Sequence, residues 1–351
     1  MSIQKAKTKG KRFKVNGYTE NLQSYDHYLG LDWHKDTMTI ARITKKKSEP
    51  KVIESRSDIG DLKEYFENLD GEKIITFEET TSAHWLYVEL LDHVDRIVIC
   101  NPRRNRLLED GPKNDRIDAR KLSILLKGGI LSEVYHSTDG LYKLRKLERA
   151  YTAVVKAGVR LYNQKSALYR GMGKSYQDEE SIDSKLEAFI LENINSGIDQ
   201  YLHRKKAYES QIGKMCRKNK LLRRQCDLPG IDKIFAFKIV SKVIDAHRFP
   251  TAGHYLVYCG LVKYKKESGG KNYGKRKPQY CRILKYVYKS AAETTLRYDN
   301  PMREYYDYLR GKGIAHHNAK QAVARYIAKV SYGMMKTGEK YEPYRWRLKN
   351  K

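Results

Sequence analysis

From Tyr28 onwards, short apolar runs and segments of helical period follow one another in an order that few folds accept. Tyr28 to His34 reads as a strand, Lys35-Asp36 as a turn and Thr37 to Ile43 as a second strand. Lys51 to Ser55 supplies a third. Asp58 to Leu69 has helical spacing, with Ile59, Leu62, Tyr65, Phe66 and Leu69 on one side. Lys73 to Glu78 is a strand apolar enough to be buried, and Ser82 to Val94 is a helix with Ser82 as its cap. Arg96 to Cys100 is a fifth strand, closed by Asn101-Pro102, and a helical stretch carrying Asp115 and Asp118 comes after it.

Three strands, helix, strand, helix, strand, helix is the order of the ribonuclease-H-like fold, an α/β sandwich around a mixed sheet. Carboxylates fall at telling points in that order. Asp32 sits on the first strand, Glu78 ends the fourth, and Asp115 and Asp118 lie one helical turn apart after the fifth. A carboxylate in an apolar strand is costly unless it is paired or binds a metal. The helical pair must likewise offset its own repulsion. A divalent cation or a pair of arginines can do so, and so can ordinary ion pairs on a solvated face with Arg116, Arg120 and Lys121. Four converging oxygens suit Mg²⁺ or Mn²⁺, which would polarise a phosphodiester.

The partner class follows from charge. Lys plus Arg number 70 against 42 Asp plus Glu, a net charge of +28 spread along the chain. That self-repulsion in a folded protein points to a polyanion. The 28 tyrosines add base-stacking surfaces to the phosphate contacts. The five cysteines contain no CxxC pair and fit neither a zinc site nor a disulfide framework. They read as reduced core residues of a cytoplasmic protein. No apolar run reaches the roughly 20 residues of a membrane span. The basic N-terminus lacks the apolar stretch of a signal peptide.

The 351 residues exceed one compact core and divide by composition. Residues 1–25 form a basic arm that could lie on nucleic acid, and 26–135 the α/β domain. Residues 136–222 are rich in Lys, Arg, Glu and Leu and read as an antiparallel helical hairpin, a coiled-coil arm. Its seam runs through Leu141, Leu144, Leu147, Tyr151 and Val154 to Gly158, a weak point, and on to Leu161. The second stretch, about Ile182 to Leu222, is interrupted near Asn195-Ser196-Gly197.

Residues 223–351 form a mainly helical C-terminal domain. Leu228-Pro229-Gly230-Ile231-Asp232 resembles half of a helix-hairpin-helix, with backbone N–H groups suited to a phosphate. A short helix covers Tyr255 to Leu261. Lys263 to Lys271 reads as a flexible loop in which Ser268 precedes Gly269 and Gly270. Helices follow at about 279–298, 301–311 and 317–335, and the tail Tyr341 to Trp346 packs back on them. Candidate nucleic-acid contacts are Lys113, Arg116, Gly230, Lys266, Gly269, Gly270, Lys271, Lys275 and Arg276.

Taken together, these segments resemble the DEDD transposases of bacterial insertion sequences, the insertion-sequence 110 family. Asp32-Trp33-His34-Lys35 is similar to that family's Asp-x-His-Lys signature, and Glu78-Glu79-Thr80-Thr81 to its Glu-Ala-Thr-Gly segment. Lys113-x-Asp115-x-x-Asp118-Ala119 is similar to its Lys-x-Asp-x-x-Asp-Ala motif. Leu228-Pro229-Gly230-Ile231, Phe249-Pro250, Gly260-Leu261 and Ser268-Gly269-Gly270-Lys271 follow its C-terminal domain in order. The resemblance runs from about residue 28 to 345. It implies a RuvC-like domain with Asp32, Glu78, Asp115 and Asp118 as metal ligands, and Ser268 as a nucleophile on a second domain. It also implies a tetramer guided by a structured non-coding bridge RNA that pairs with donor and target DNA. Strands would be joined through a 5′-phosphoserine intermediate and exchanged through a Holliday junction, in the bacterial cytoplasm at the nucleoid. The doubled Glu78-Glu79 leaves two possible ligands, of which register with Thr80 favours Glu78.

Two other functions share parts of this pattern. A metal-dependent junction resolvase or nuclease would use the carboxylates without a covalent intermediate. A non-catalytic RNA-binding protein would use the basic arm and the tyrosine-rich C-terminal third. A tyrosine recombinase is disfavoured, because no Arg, His-x-x-Arg, Tyr series stands in that third.

Overall fold

The structure is a computed structural model and describes residues 25–102, 114–138, 140–175, 182, 184–276 and 279–348. The basic arm at 1–24 and Lys113 lie outside the described residues, as do the side chains of Lys266, Lys275 and Arg276. The chain forms two compact units, Met1–Thr138 and Asp139–Lys351. Among the described residues no helix is long and apolar enough to cross a membrane.

The first unit is built on a five-stranded mixed sheet. Strands β1 (His27–Trp33), β2 (Thr37–Thr44) and β3 (Lys51–Arg56) run antiparallel in sequence. Strand β4 (Lys73–Glu78) pairs parallel with β1, and β5 (Arg96–Cys100) parallel with β4. The spatial order is β3-β2-β1-β4-β5, compatible with the ribonuclease-H-like architecture expected from the sequence. Alternation along the central strands divides the core in two. Leu29, Leu31, Ile75, Phe77, Ile97 and Ile99 pack with Leu62 and Phe66 of α1 (Ile59–Glu67) and Leu86 and Leu90 of α2 (Ala83–Leu90). Tyr28, Ile74, Val98 and Cys100 pack instead with Leu122, Leu125 and Leu126 of α3 (Asp115–Lys127).

Helix starts follow local capping. The Asp58 carboxylate accepts the N–H groups of Gly60 and Asp61, and the Asn114 side chain that of Arg116. Ser82 departs from expectation. It stands at the start of α2 in helical conformation without capping it, because its hydroxyl bonds Thr80 Oγ1 at 3.0 Å.

In the second unit, α4 (Lys143–Gly171) and α5 (Lys185–Lys218) lie antiparallel. Tyr151 donates to Glu209 at 2.8 Å near the root of this pair. The glycines expected to weaken the helices are packing points instead. A Cβ on Gly158 would run into the Tyr201 ring, and one on Gly197 would come within 3.1 Å of Leu161. Helix α5 therefore continues through Asn195-Ser196-Gly197, where an interruption is expected from the sequence.

The root of the pair is joined to the helices beyond it. Leu144, Tyr151, Ile212 and Cys216 pack with Leu222 of α6 (Lys220–Gln225) and with Phe237 and Val240 of α7 (Lys233–Val243). A buried ion pair stands beside this contact. Glu148 of α4 is fully buried, bonds Lys242 of α7, and accepts from Thr152 at 2.8 Å. Taking away one member leaves a buried charge uncompensated. Glu148→Ala is expected to destabilise the second unit by about 3 kcal/mol, measured by chemical denaturation of the full chain, whereas Thr152→Val should cost far less.

The remaining core gathers α8 (Ala252–Tyr258), α9 (Arg282–Thr295), α10 (Pro301–Gly311) and α11 (His316–Thr337). A buried polar chain crosses it. Tyr255 and Tyr288 share a bond of 2.5 Å, Tyr288 meets Ser331 at 2.8 Å, and Ser331 donates to Gln225 at 2.6 Å. As expected from the sequence, the tail returns, with Trp346 of α12 (Arg345–Leu348) against Tyr305 and Tyr308. One segment expected as a flexible loop is instead a hairpin of β6 (Tyr264–Ser268) and β7 (Lys271–Arg276). Gly269 and Gly270 both have positive φ, 55° and 74°, the two-residue turn whose twist suits paired strands.

Candidate active site

The site in the first unit depends on a residue with no side chain. Gly30 lies in the middle of β1, on the face that meets α3. A Cβ there would run into the Ala119 carbonyl and come within 2.6 Å of Ser123 N and 2.9 Å of Leu122 Cβ. The α3 backbone can rest on the strand only because Gly30 stands between them. That seat carries the first turn of α3, with Asp115 and Asp118, to the C-terminal end of β1, where Asp32 stands.

The carboxylates converge there. His34 Nε2 lies 3.3 Å from Asp32 Oδ1 and 3.6 Å from Asp115 Oδ1. One ligand atom from each of Asp32, His34 and Asp115 fits within 4.8 Å of the others, a spacing suited to one metal ion. Burial pushes the Asp32 carboxyl above its usual range. His34 opposes the shift, and the charges of Asp115 and Asp118 add to it.

Glu78 comes from the neighbouring strand. The parallel pairs run from His27 with Lys73 to Gly30 with Thr76. Two residues further on, the same register sets Asp32 level with Glu78. A pocket of about 160 Å³ is lined by both, together with Leu31, Trp33, His34, Phe77, Thr80 and Leu86. Glu79 is not among the lining residues, and its N–H is donated to the Cys100 carbonyl at 3.0 Å. At the edge of the site the Arg116 guanidinium pairs with Glu54 of β3 at 3.2 Å, an exposed pair worth little in stability.

The C-terminal residues singled out in the sequence lie on the second unit. Ser268 ends β6 and faces Lys271 across the turn, and both are exposed. Added Cβ atoms on Gly269 and Gly270 would meet nothing within 4 Å. Gly230 has a packing role: its φ is +77°, its N–H is donated to Tyr298 at 3.2 Å, and a Cβ would strike the Ala291 carbonyl. The start of α7 is capped by Asp232, which accepts from Phe235 N at 2.7 Å.

Two participants escaped sequence reasoning. Gly30 had a signal, a glycine inside a strand between two buried leucines, which marks close backbone approach. His34 was visible only as part of a motif, and its reach to both carboxylates depends on how the β1–β2 turn folds.

Comparison with known proteins places both regions in one group. A family model of DEDD transposases of the IS110 type, described as Transposase, matches residues 29–172, the stretch that holds Asp32, Glu78, Asp115 and Asp118. A second, described as Transposase IS116/IS110/IS902 family, matches residues 222–307, the stretch that holds Ser268. The chain is also similar to the insertion element IS116 uncharacterized 44.8 kDa protein of Streptomyces clavuligerus, 27% identical over 117 residues. That alignment covers 33% of this chain and 29% of the relative. Residues 29–172 and 222–307 are thus similar, in that order, to two domains of IS110-type transposases.

Proposed function

We propose that the protein is an insertion-sequence recombinase that cuts and rejoins DNA strands, with a divalent cation held on its first unit and a serine nucleophile on its second. The observation that carries this reading is the convergence of Asp32, Asp115 and Asp118 beside Gly30, with Glu78 lining the same pocket as Asp32. The donor set fits Mg²⁺ or Mn²⁺, since it is dominated by carboxylate oxygens. The upward shift of Asp32 marks buried negative charge that a cation would neutralise. Asp32, Glu78, Asp115 and Asp118 would hold the ion, and His34 would orient Asp32 and Asp115. When bound, the ion supplies Lewis-acid polarisation of a phosphoryl oxygen.

Ser268 is the proposed nucleophile. Its exposed position before two unobstructed glycines lets the backbone approach a phosphate closely. In the transfer the Ser268 Oγ–P bond forms as the P–O3′ bond breaks, and the hydroxyl proton ends on the departing 3′ oxygen. This leaves a 5′-phosphoserine. Attack by another 3′-hydroxyl on the same phosphorus then joins strands and restores Ser268. Lys266, Lys271, Lys275 and Arg276 would hold the phosphate. The carboxylates belong to the first unit and the serine to the second.

The proposed partners are donor and target duplex DNA, a structured guide RNA that pairs with both, and further copies of the chain in a tetramer. The net charge of +28 supports a polyanionic partner. The exposed Leu186 and Phe189 of α5 support contact with another copy. The bacterial cytoplasm, at the nucleoid, is the proposed location.

Ser268→Ala is expected to abolish covalent protein–DNA adducts on denaturing gels while leaving RNA binding within about twofold of wild type. Adducts that persist in this variant would remove Ser268 from the reaction. Metal-dependent cleavage by the wild type without any adduct would make the protein a junction resolvase or nuclease.

A further inference from the structure

Beside the acidic pocket stands a pair of tryptophans that carboxylate chemistry does not use. Trp33 lies between Asp32 and His34 in the sequence and lines the pocket with Asp32 and Glu78. Its ring sits 5.7 Å from that of Trp85, inclined at 64°. Trp85 projects from α2 and is 42% exposed. One ring is thus fixed in the pocket wall, and the second extends that wall into solvent. Val88, one turn along α2, is 46% exposed and continues the apolar surface.

We propose that the exposed Trp85 indole, held in edge contact with Trp33, is a stacking platform for one unpaired nucleobase, next to the phosphate that enters the acidic pocket. This rests on the reading of the pocket as the strand-cleavage site. Charge selects the occupant: on a chain of net charge +28, an exposed indole bordering a phosphate site suits a nucleic-acid strand. Aromatic faces stack any base, since every base has a π-face, so the platform would tolerate all four. A base paired within a duplex hides its faces in the stack, so the bound strand must be locally opened. The platform would hold the strand open and fix the position of the neighbouring phosphate. Trp85 is then a positioning residue.

The test uses the full chain and two single-stranded probes of equal length, an oligothymidine and an abasic oligomer. Both carry the same phosphates, so their affinity ratio isolates stacking from charge. In Trp85→Ala this ratio should fall by about 5-fold or more relative to wild type. Trp85→Phe should restore most of it, and both variants should bind Mn²⁺ as wild type does. An unchanged ratio in Trp85→Ala would overturn the platform, and so would a ratio near one in the wild type. Mn²⁺ binding, measured in parallel, separates the two readings. Its absence from wild type would remove the metal site, whereas its presence with an unchanged ratio would remove only the platform.

Discussion

Gly30→Ala is expected to destabilise the first unit by about 3 kcal/mol and to abolish divalent-cation binding with it. Alanine is ordinarily the better residue in a strand, by roughly 0.5–1 kcal/mol. Here the new methyl would be directed at the Ala119 carbonyl, Ser123 N and Leu122 Cβ, two of them backbone atoms that cannot turn aside. The helix must move as a body, and with it Asp115 and Asp118. Denaturant unfolding measures the first effect and a Mn²⁺ titration the second. Ser123→Ala is the control, since its hydroxyl bonds only the Arg120 carbonyl of its own helix, at 2.8 Å. A Gly30→Ala protein that binds cation like wild type would show that α3 does not position the carboxylates.

Asp32→Asn should act in opposite directions on activity and on stability. Loss of a ligand carboxylate removes several kcal/mol of transition-state charge stabilisation, so strand cleavage should fall by about 10³-fold. Without cation, the variant should be more stable than wild type near neutral pH. Burial raises the Asp32 pKa in the folded state, with Asp115 and Asp118 adding to it, so the ionised group opposes folding. That penalty develops as pH rises from the ordinary carboxylate value of 3.8 through the raised one, and it is absent below both. The stability gain of the variant should therefore be seen at neutral pH and vanish in acid. A gain that persists in acid would assign it to packing and not to charge.

The first unit was largely legible because its signals are local. Short apolar runs separated by helical segments mark all five strands, and the apolar setting of Asp32 marks it as costly. The second unit was harder for physical reasons. Gly158 and Gly197 are weak points in an isolated helix, but between two helices they admit Tyr201 and Leu161, and sequence spacing does not reveal the partner. The hairpin after Tyr264 reads as a loop because lysines and glycine dominate it, although Gly269-Gly270 is itself a hairpin turn signal. The N–H of Gly230 is donated to Tyr298, 68 residues away, a partner that no local motif encodes. His34 and Trp85 depended on tertiary proximity, which no short-range pattern encodes.

The central claim is that Asp32, Glu78, Asp115 and Asp118 act as one cation site. Titration of Mn²⁺ into the full chain, followed by electron paramagnetic resonance, tests it most directly. The account predicts binding by the wild type and a loss of at least about 100-fold in affinity in both Glu78→Gln and Asp118→Asn, which lie on different elements. Equal Mn²⁺ affinity in wild type and both variants would contradict it.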